Sequence, residues 1–194
     1  MSAHLRTLVE RYSALRECQP AIQAAFDLLT ATFGKDGKLL LCGNGGSTAD
    51  SEHWAGELLK GSAHSRPHAA SMRGGLPPEM PARLQWAFPV DPLTGFPGFA
   101  SPFGNDVDPE YAFAQLVLAP GRTGDSLGAL SASGNASNVC RAAEVTRARS
   151  IPVLALTGKS GGNSKNCRMS VFRRHPRKRC TFRSFIFPFT TVSR

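Results

Sequence analysis

A glycine-rich turn followed by a polar helix face carries the residues of this chain that are best suited to chemistry. The turn, residues 42–47 (CGNGGS), follows an apolar run and precedes a segment of helical character, Thr48 to Lys60. Backbone amides at a helix N-terminus, together with the helix dipole, bind anions such as phosphate. Asp50, His53 and Glu57 are spaced i, i+3 and i+7, so they share one face of that helix. The combination predicts an enzyme that acts on a phosphorylated small molecule, with a His/Glu pair that binds a metal or moves a proton.

Composition favours one neutral globular domain with a separate basic tail. The net charge is +9, yet residues 163–194 hold nine Lys and Arg and no acid, whereas residues 1–162 hold 14 bases and 14 acids. We therefore expect a domain over 1–162 and a tail over 163–194, and we do not expect nucleic acid as a partner.

Five scattered cysteines without a CxxC pair favour reduced thiols, and Cys42 and Cys140 are expected to be packing residues. Neither a membrane span nor a signal core is predicted, so we expect a cytoplasmic protein.

Strands and helices alternate along the domain. The predicted strands are 38–42, 88–93 (weakened by two prolines), 126–130 and 152–156. The predicted helices are 5–33 (divided at Pro20), 48–60, 109–119 (with Asp108 as N-cap) and 135–149. This order predicts an α/β fold, a three-layer α/β/α sandwich with a central parallel sheet. Ligands of such sheets bind at the carboxyl ends of the strands, so the turns at 42–47, 131–135 and 157–162 are expected to converge on one ligand.

Four segments resemble the sugar isomerase (SIS) domain in order and spacing. They are CGNGGSTADSEHWAGEL (42–58), NDVDPE (105–110), SASGNASNV (131–139) and LALTGKSGG (154–162). Within that superfamily they most resemble the phosphoheptose isomerases, over about residues 1–162. The resemblance implies a flavodoxin-like fold, a homotetramer packed through its N-terminal helices, and a phosphorylated seven-carbon sugar as substrate. The implied reaction converts sedoheptulose 7-phosphate to D-glycero-D-manno-heptose 7-phosphate, a precursor of the lipopolysaccharide core.

The resemblance also implies roles for individual residues. The implied substrate contacts are Asn44, Gly45, Gly46, Ser47, Glu57, Asn105, Asp106, Ser131, Ala132 and Ser133. His53 and Glu57 would bind one zinc per subunit, and Glu57 would also be the catalytic base that removes the proton beside the carbonyl. Ala132 and Ala136 stand where the family has hydroxyl residues, so phosphate binding is expected to weaken by about 1 kcal/mol per lost bond. Asp50 is expected only to interact with the helix dipole from the first turn.

The tail lacks the closing motif of the family, a Gln-Glu-apolar-His sequence with a second His five residues after the first. That Gln and second His would complete the zinc site and supply the acid. When residues 167–194 are back-translated with permitted codons and shifted by two bases, they read through QELHLPVYH, which contains the missing motif. Our hypothesis is that the tail is a frameshift product that begins near Gly162, or a disordered segment. As written, the chain would then be a poor catalyst.

Two alternatives come from other functional classes. One is a non-catalytic SIS protein that binds a replication initiator or a sugar phosphate; that branch usually lacks His and Glu together on the helix after the turn. The other is a sugar-phosphate sensor, which is ordinarily fused to a DNA-binding domain. The presence of His53 and Glu57 favours the enzyme.

Overall fold

The computed structural model describes residues 6–7, 10–61, 66, 76–77, 79–158 and 170–174; for 13–15 and 170–174 it describes the backbone alone. The strands are β1 (Leu39–Gly43), β2 (Val90–Pro92), β3 (Ser126–Ser131), β4 (Val153–Gly158) and β5 (Ser170–Arg174). The α-helices are α1 (Gln19–Gly34), α2 (Gly46–Leu59), α3 (Pro97–Asp106), α4 (Ala112–Leu118) and α5 (Ser137–Ala148). Short 3₁₀ helices span Ser13–Cys18, Leu93–Gly95 and Pro109–Tyr111. No helix in these ranges is long and apolar enough to cross a membrane.

The five strands form one parallel sheet in the order β2-β1-β3-β4-β5. Every residue of β1 and β3 is buried, as expected of a parallel sheet covered on both faces. Along β1 the side chains alternate between two cores, because successive residues of a strand point to opposite faces. Leu39 and Leu41 pack with α1 and α2, whereas Leu40 and Cys42 pack with α4 and α5. The predicted three-layer α/β/α architecture is confirmed.

Proline positions account for most of the differences from the predicted elements. Pro20 lies at the start of α1 and so opens that helix, since a proline in the first turn lacks only an amide that would have no intrahelical partner. The strand predicted at 88–93 shrinks to Val90–Pro92. Helix α3 was not predicted, because its sequence contains two prolines and two glycines; Pro97 begins it and Pro102 lies inside it.

The predicted helix at 109–119 is a 3₁₀ turn that continues into α4. Its predicted N-cap is confirmed: the Asp108 carboxylate accepts a hydrogen bond from the Glu110 amide. Helix α2 begins at Gly46, two residues before the predicted start. Asp50 therefore lies beyond the first turn, and the prediction that it interacts with the dipole from that turn was wrong.

The basic tail contributes one strand to the sheet. Residues 170–174 pair in parallel with Leu154–Gly158 of β4, at the edge opposite β2. The rest of 163–194 lies outside the described residues. The frameshift hypothesis and the division of the chain at Gly162 stay predictions.

A buried carboxylate ties the amino end of β1 to that of β3. Asp125 is 4% exposed, and its Oδ1 accepts a hydrogen bond from the Lys38 amide at 2.9 Å. Its Oδ2 accepts from Lys38 Nζ at 3.0 Å and from the Arg122 amide at 2.8 Å. This network lies at the end of the sheet opposite the turns, so it stabilises the fold without entering the site.

Candidate functional site

The turns after β1, β3 and β4 meet at the carboxyl edge of the sheet. The Asn44 amide, in the first turn, exchanges hydrogen bonds with Asn138, the second residue of α5. The Gly158 amide, at the end of β4, donates to the Ala132 carbonyl in the second turn at 3.0 Å. A Cβ at Gly158 would lie 2.3 Å from that carbonyl oxygen, so the approach requires glycine. The turns therefore meet at one edge of the sheet, as predicted, as far as residue 158; residues 159–162 lie outside the described part, and convergence on one ligand stays a prediction.

The first turn depends on glycine at two positions. Gly45 has a φ of 55°, a left-handed conformation that side chains other than glycine rarely adopt. A Cβ at Gly43 would lie 2.8 Å from Ser47 Cβ and 3.0 Å from the Leu130 carbonyl oxygen. Asn44, Gly45 and Gly46 are exposed, and no side chain of the described residues caps α2 at its N-terminus. The Ser47 and Thr48 amides donate to the Asn44 and Gly45 carbonyls, each at 3.0 Å, so anion binding at this helix start stays a prediction.

The second turn is closed by its own hydroxyls. Ser131 Oγ accepts a hydrogen bond from the Gly134 amide, and Ser133 Oγ accepts one from the Asn135 amide, each at 3.1 Å. Ser131 is 6% exposed, whereas Ala132 and Ser133 face solvent. Each hydroxyl hydrogen stays available as a donor to a ligand, since only the oxygen is used in the turn. Phosphate contact by residues 131–133 stays a prediction.

Ala136 leaves the start of α5 without a side-chain cap. It is the N-cap residue of α5, with φ −64° and ψ 115°, and it makes no side-chain capping bond. A serine or threonine at an N-cap accepts a hydrogen bond from an amide of the first turn, which alanine cannot do. The substitution therefore weakens the start of the helix that carries Asn138.

His53 and Glu57 lie side by side on α2, four residues apart. His53 Nε2 lies 3.7 Å from Glu57 Oε1, and the two side chains are 35% and 23% exposed. Nε2 is a buried atom with no hydrogen-bond partner among the described residues. An unpartnered imidazole nitrogen beside a carboxylate oxygen fits two zinc ligands, each of which would lie about 2 Å from the ion. Within the described ranges no group of three or more His, Cys, Asp or Glu is placed to hold a metal.

Asn105 and Asp106 occupy the last two positions of α3 and are exposed. That helix packs against the Pro109–Tyr111 turn and α4. In the described part of the chain, no hydrogen bond links these two residues to the turns at the carboxyl edge. Their contact with substrate stays a prediction.

Arg66 is a buried cation that sequence reasoning missed. Its Nη2 donates to the Glu57 and Leu58 carbonyls at 2.9 and 2.8 Å, so it caps the C-terminal end of α2. Its guanidinium lies 4.9 Å from the centre of the Phe88 ring. Burial lowers the pKa of this guanidinium, and the nearby Glu57 carboxylate acts in the opposite direction. Arg66 is one of three arginines in a loop rich in Ser, Pro, Gly and Arg (residues 61–85), and nothing in the sequence marked it for this role.

Comparison with known proteins supports the family resemblance found in the sequence. Residues 3–74 match the protein family described as SIS domain. The phosphoheptose isomerase of Rhodospirillum rubrum is 35% identical over 160 residues, which are 82% of this chain and 75% of that protein. The phosphoheptose isomerase of Edwardsiella ictaluri is 39% identical over 142 residues, or 73% of this chain. The match spans 63% of that relative, so the chain covers less than two thirds of its length.

Two solved structures share the fold. A phosphoheptose isomerase from Neisseria gonorrhoeae superposes with a TM-score of 0.66 at 28% identity, covering 94% of this chain and 85% of that one. A phosphoheptose isomerase from Francisella tularensis superposes with a TM-score of 0.68 at 23% identity, covering 98% and 95%. Sequence identity over most of a relative's length and the shared sheet lead to one conclusion: the chain belongs to the phosphoheptose isomerase family of SIS-domain proteins.

Proposed function

We propose that this chain is an aldose–ketose isomerase that interconverts sedoheptulose 7-phosphate and D-glycero-D-manno-heptose 7-phosphate. The observation that carries the proposal is the His53–Glu57 pair on the helix that the glycine turn begins. His53 is seven residues after Gly46, about 10 Å along the helix axis. That length is comparable with an extended seven-carbon sugar phosphate. A phosphate at the turns would thus leave the carbonyl end of the sugar near the pair.

The reaction moves one proton between the carbonyl carbon of the sugar and the adjacent hydroxyl-bearing carbon, and a second proton between the oxygens of these two carbons. Glu57 is the proposed base: its carboxylate takes the proton from one carbon and returns it to the other, through an enediol of the sugar. A zinc ion held by His53 and Glu57 would polarise the carbonyl oxygen. The Asn44 amide and the residue 131–133 turn would hold the sugar and phosphate in place. A proton must also reach the sugar oxygen, and in our hypothesis the lost histidine of the tail supplies it.

The proposal predicts slow turnover by the chain as written. Two protein ligands are below the three that are typical of catalytic zinc. With zinc in excess, isomerisation of sedoheptulose 7-phosphate should be slow or undetectable. A variant that carries the restored reading frame after Gly162 should be active.

The outcomes of this assay separate the two parts of the proposal. Full activity of the chain as written would contradict the need for the lost Gln and His. Absence of sugar-phosphate binding and of activity in both proteins would contradict the isomerase itself. A pull-down that retains a replication initiator instead would favour the non-catalytic alternative.

We also propose a cytoplasmic homotetramer. The support for this assembly is the resemblance to SIS-domain proteins, which implies a tetramer packed through its N-terminal helices. Light scattering after size-exclusion chromatography tests the assembly: a mass of four subunits supports it, and a monomer at micromolar concentration contradicts it.

A further inference from the structure

Two amide side chains from different turns face each other at the carboxyl edge of the sheet. Asn44 Nδ2 donates to Asn138 Oδ1 at 2.8 Å, and Asn138 Nδ2 donates back to Asn44 Oδ1 at 3.0 Å. The two residues are 94 positions apart in the chain. The pair is therefore a tertiary link between the glycine turn and the first turn of α5.

A backbone amide determines the orientation of both side-chain amides in this pair. If both side-chain amides were flipped by about 180°, the two hydrogen bonds between them could still form, because each amide has a donor and an acceptor. The Val139 amide, however, donates to Asn138 Oδ1 at 2.9 Å. An N–H group cannot accept a hydrogen bond, so the atom that faces it must be the oxygen of Asn138. The NH₂ group of Asn138 then faces Asn44, and the oxygen of Asn44 must face it in return.

We propose that Asn138 is a positioning residue for the substrate site, which fixes the orientation of the Asn44 amide before the ligand arrives. The substrate part of this role rests on the proposed function. With the pair formed, Asn44 keeps one N–H and one lone pair of Oδ1 outside it. These are the groups that a sugar hydroxyl would meet, one as acceptor and the other as donor. Asn138 acts on the sugar phosphate only through Asn44.

A double-mutant cycle on binding tests this indirect action. The affinity for sedoheptulose 7-phosphate is measured by isothermal titration calorimetry on the full chain with Asn138→Ala, Asn44→Ala and both. We expect Asn138→Ala to weaken binding about tenfold in the unmodified chain, which corresponds to about 1.4 kcal/mol. In the Asn44→Ala background it should weaken binding less than twofold. The exposed Glu144→Gln, further along α5, is the matched control and should leave the affinity unchanged.

Two results would overturn the proposal. If Asn138→Ala weakened binding equally in both backgrounds, Asn138 would contact the ligand itself or act through general destabilisation. If it changed nothing in the unmodified chain, the pair would have no role in binding. Melting temperatures of the four proteins separate loss of fold from loss of orientation, because a purely structural role would lower stability and affinity together in both backgrounds.

A measurement without substrate separates this inference from the isomerase proposal. The side-chain NH₂ resonances of Asn44, assigned by their loss in Asn44→Asp, report solvent exchange of its amide protons. We expect Asn138→Ala to speed that exchange several-fold and Glu144→Gln to leave it unchanged. If neither side-chain amide proton of Asn44 exchanged slowly in the unmodified chain, the orientation would be overturned. Slow exchange of the Asn44 amide proton without any binding of the sugar phosphate would support the orientation and contradict the proposed function.

Discussion

His53 Nε2 and Glu57 Oε1 lie 3.7 Å apart on successive turns of α2, too far for a hydrogen bond and close enough for one ion to bind both. The helix supplies this spacing by itself, because residues four apart share a face. The pair is therefore assembled within one chain. Any further ligand of a bound metal would have to come from another part of the chain or from a second copy of it.

Removal of either ligand should abolish zinc binding. We expect His53→Ala and Glu57→Gln to purify without stoichiometric zinc after dialysis against a zinc-containing buffer, whereas Glu144→Gln keeps the zinc content of the parent. Inductively coupled plasma mass spectrometry measures the metal per chain. Zinc retained at parent levels in both site variants would place the metal elsewhere.

Restoring a hydroxyl at residue 136 should stabilise the protein. Ala136→Ser supplies an N-cap for α5, and we expect the free energy of unfolding to rise by about 1 kcal/mol. Ala148→Ser, at the other end of the same helix, is the control. It offers no N-cap, and because serine has a lower helix propensity than alanine, the free energy of unfolding should fall by at most about 0.5 kcal/mol. Urea unfolding gives both values. Equal effects of the two substitutions would mean that the start of α5 does not need the cap.

Loss of the buried carboxylate of Asp125 should be severe. Asp125→Ala leaves the half-buried ammonium group of Lys38 without its charged partner and removes acceptors from two amides. We expect a loss of about 3 kcal/mol, typical of a broken buried ion pair. The exposed pair of Arg141 and Glu144 is the comparison, and Glu144→Ala should cost under about 1 kcal/mol. A similar cost for both would show that the Asp125 network is worth no more than a surface pair.

Cys42 should make stability fall at alkaline pH. Burial, with a smaller effect from Cys140, raises the pKa of the Cys42 thiol from 9.0 to about 12. Above pH 9 the unfolded chain loses this proton while the folded chain keeps it, so the free energy of unfolding decreases as pH rises from 9 towards 12. Below pH 9 both states are protonated and the thiol contributes no pH dependence.

The comparison that isolates this effect is Cys42→Ala. Its free energy of unfolding should depend less steeply on pH between 9 and 11 than that of the parent, since all other groups are shared. Iodoacetamide at pH 8 should leave Cys42 unmodified in the folded protein, as peptide mass spectrometry can show. Parallel pH profiles, or rapid alkylation of Cys42, would mean that the thiol is not held in its neutral form.

Periodicity and turn residues predicted most of the fold. Three apolar strands, each followed by small polar residues, were enough to predict a parallel sheet with convergent turns. Helix α3 escaped prediction because two prolines and two glycines among its ten residues contradict helix propensity, and contacts with the neighbouring turn and α4 override it. Helix propensity therefore determines secondary structure only where tertiary contacts do not override it.

The meeting of the turns and the spacing of His53 and Glu57 were predictable, whereas most individual side-chain contacts were not. His53 and Glu57 share a face at a spacing that the sequence displays. Asn138 pairs with a residue 94 positions away, and Arg66 donates to a carbonyl eight positions before it; no sequence pattern marks either contact. The position of Asn105 and Asp106 relative to the pair depends on the path of the chain between β2 and α4, which no pattern in the sequence encodes.

The parallel strand at residues 170–174 has a consequence for how this fold tolerates a change of reading frame. An edge strand is held by hydrogen bonds of the main chain, which are nearly the same for any non-proline sequence. If the tail is a frameshift product, an unrelated peptide occupies the outer place of the sheet while the catalytic motif of the family is lost. The fold and the catalytic activity of this family would then be lost independently: a frameshift could remove the catalytic motif while the chain still forms the α/β sheet.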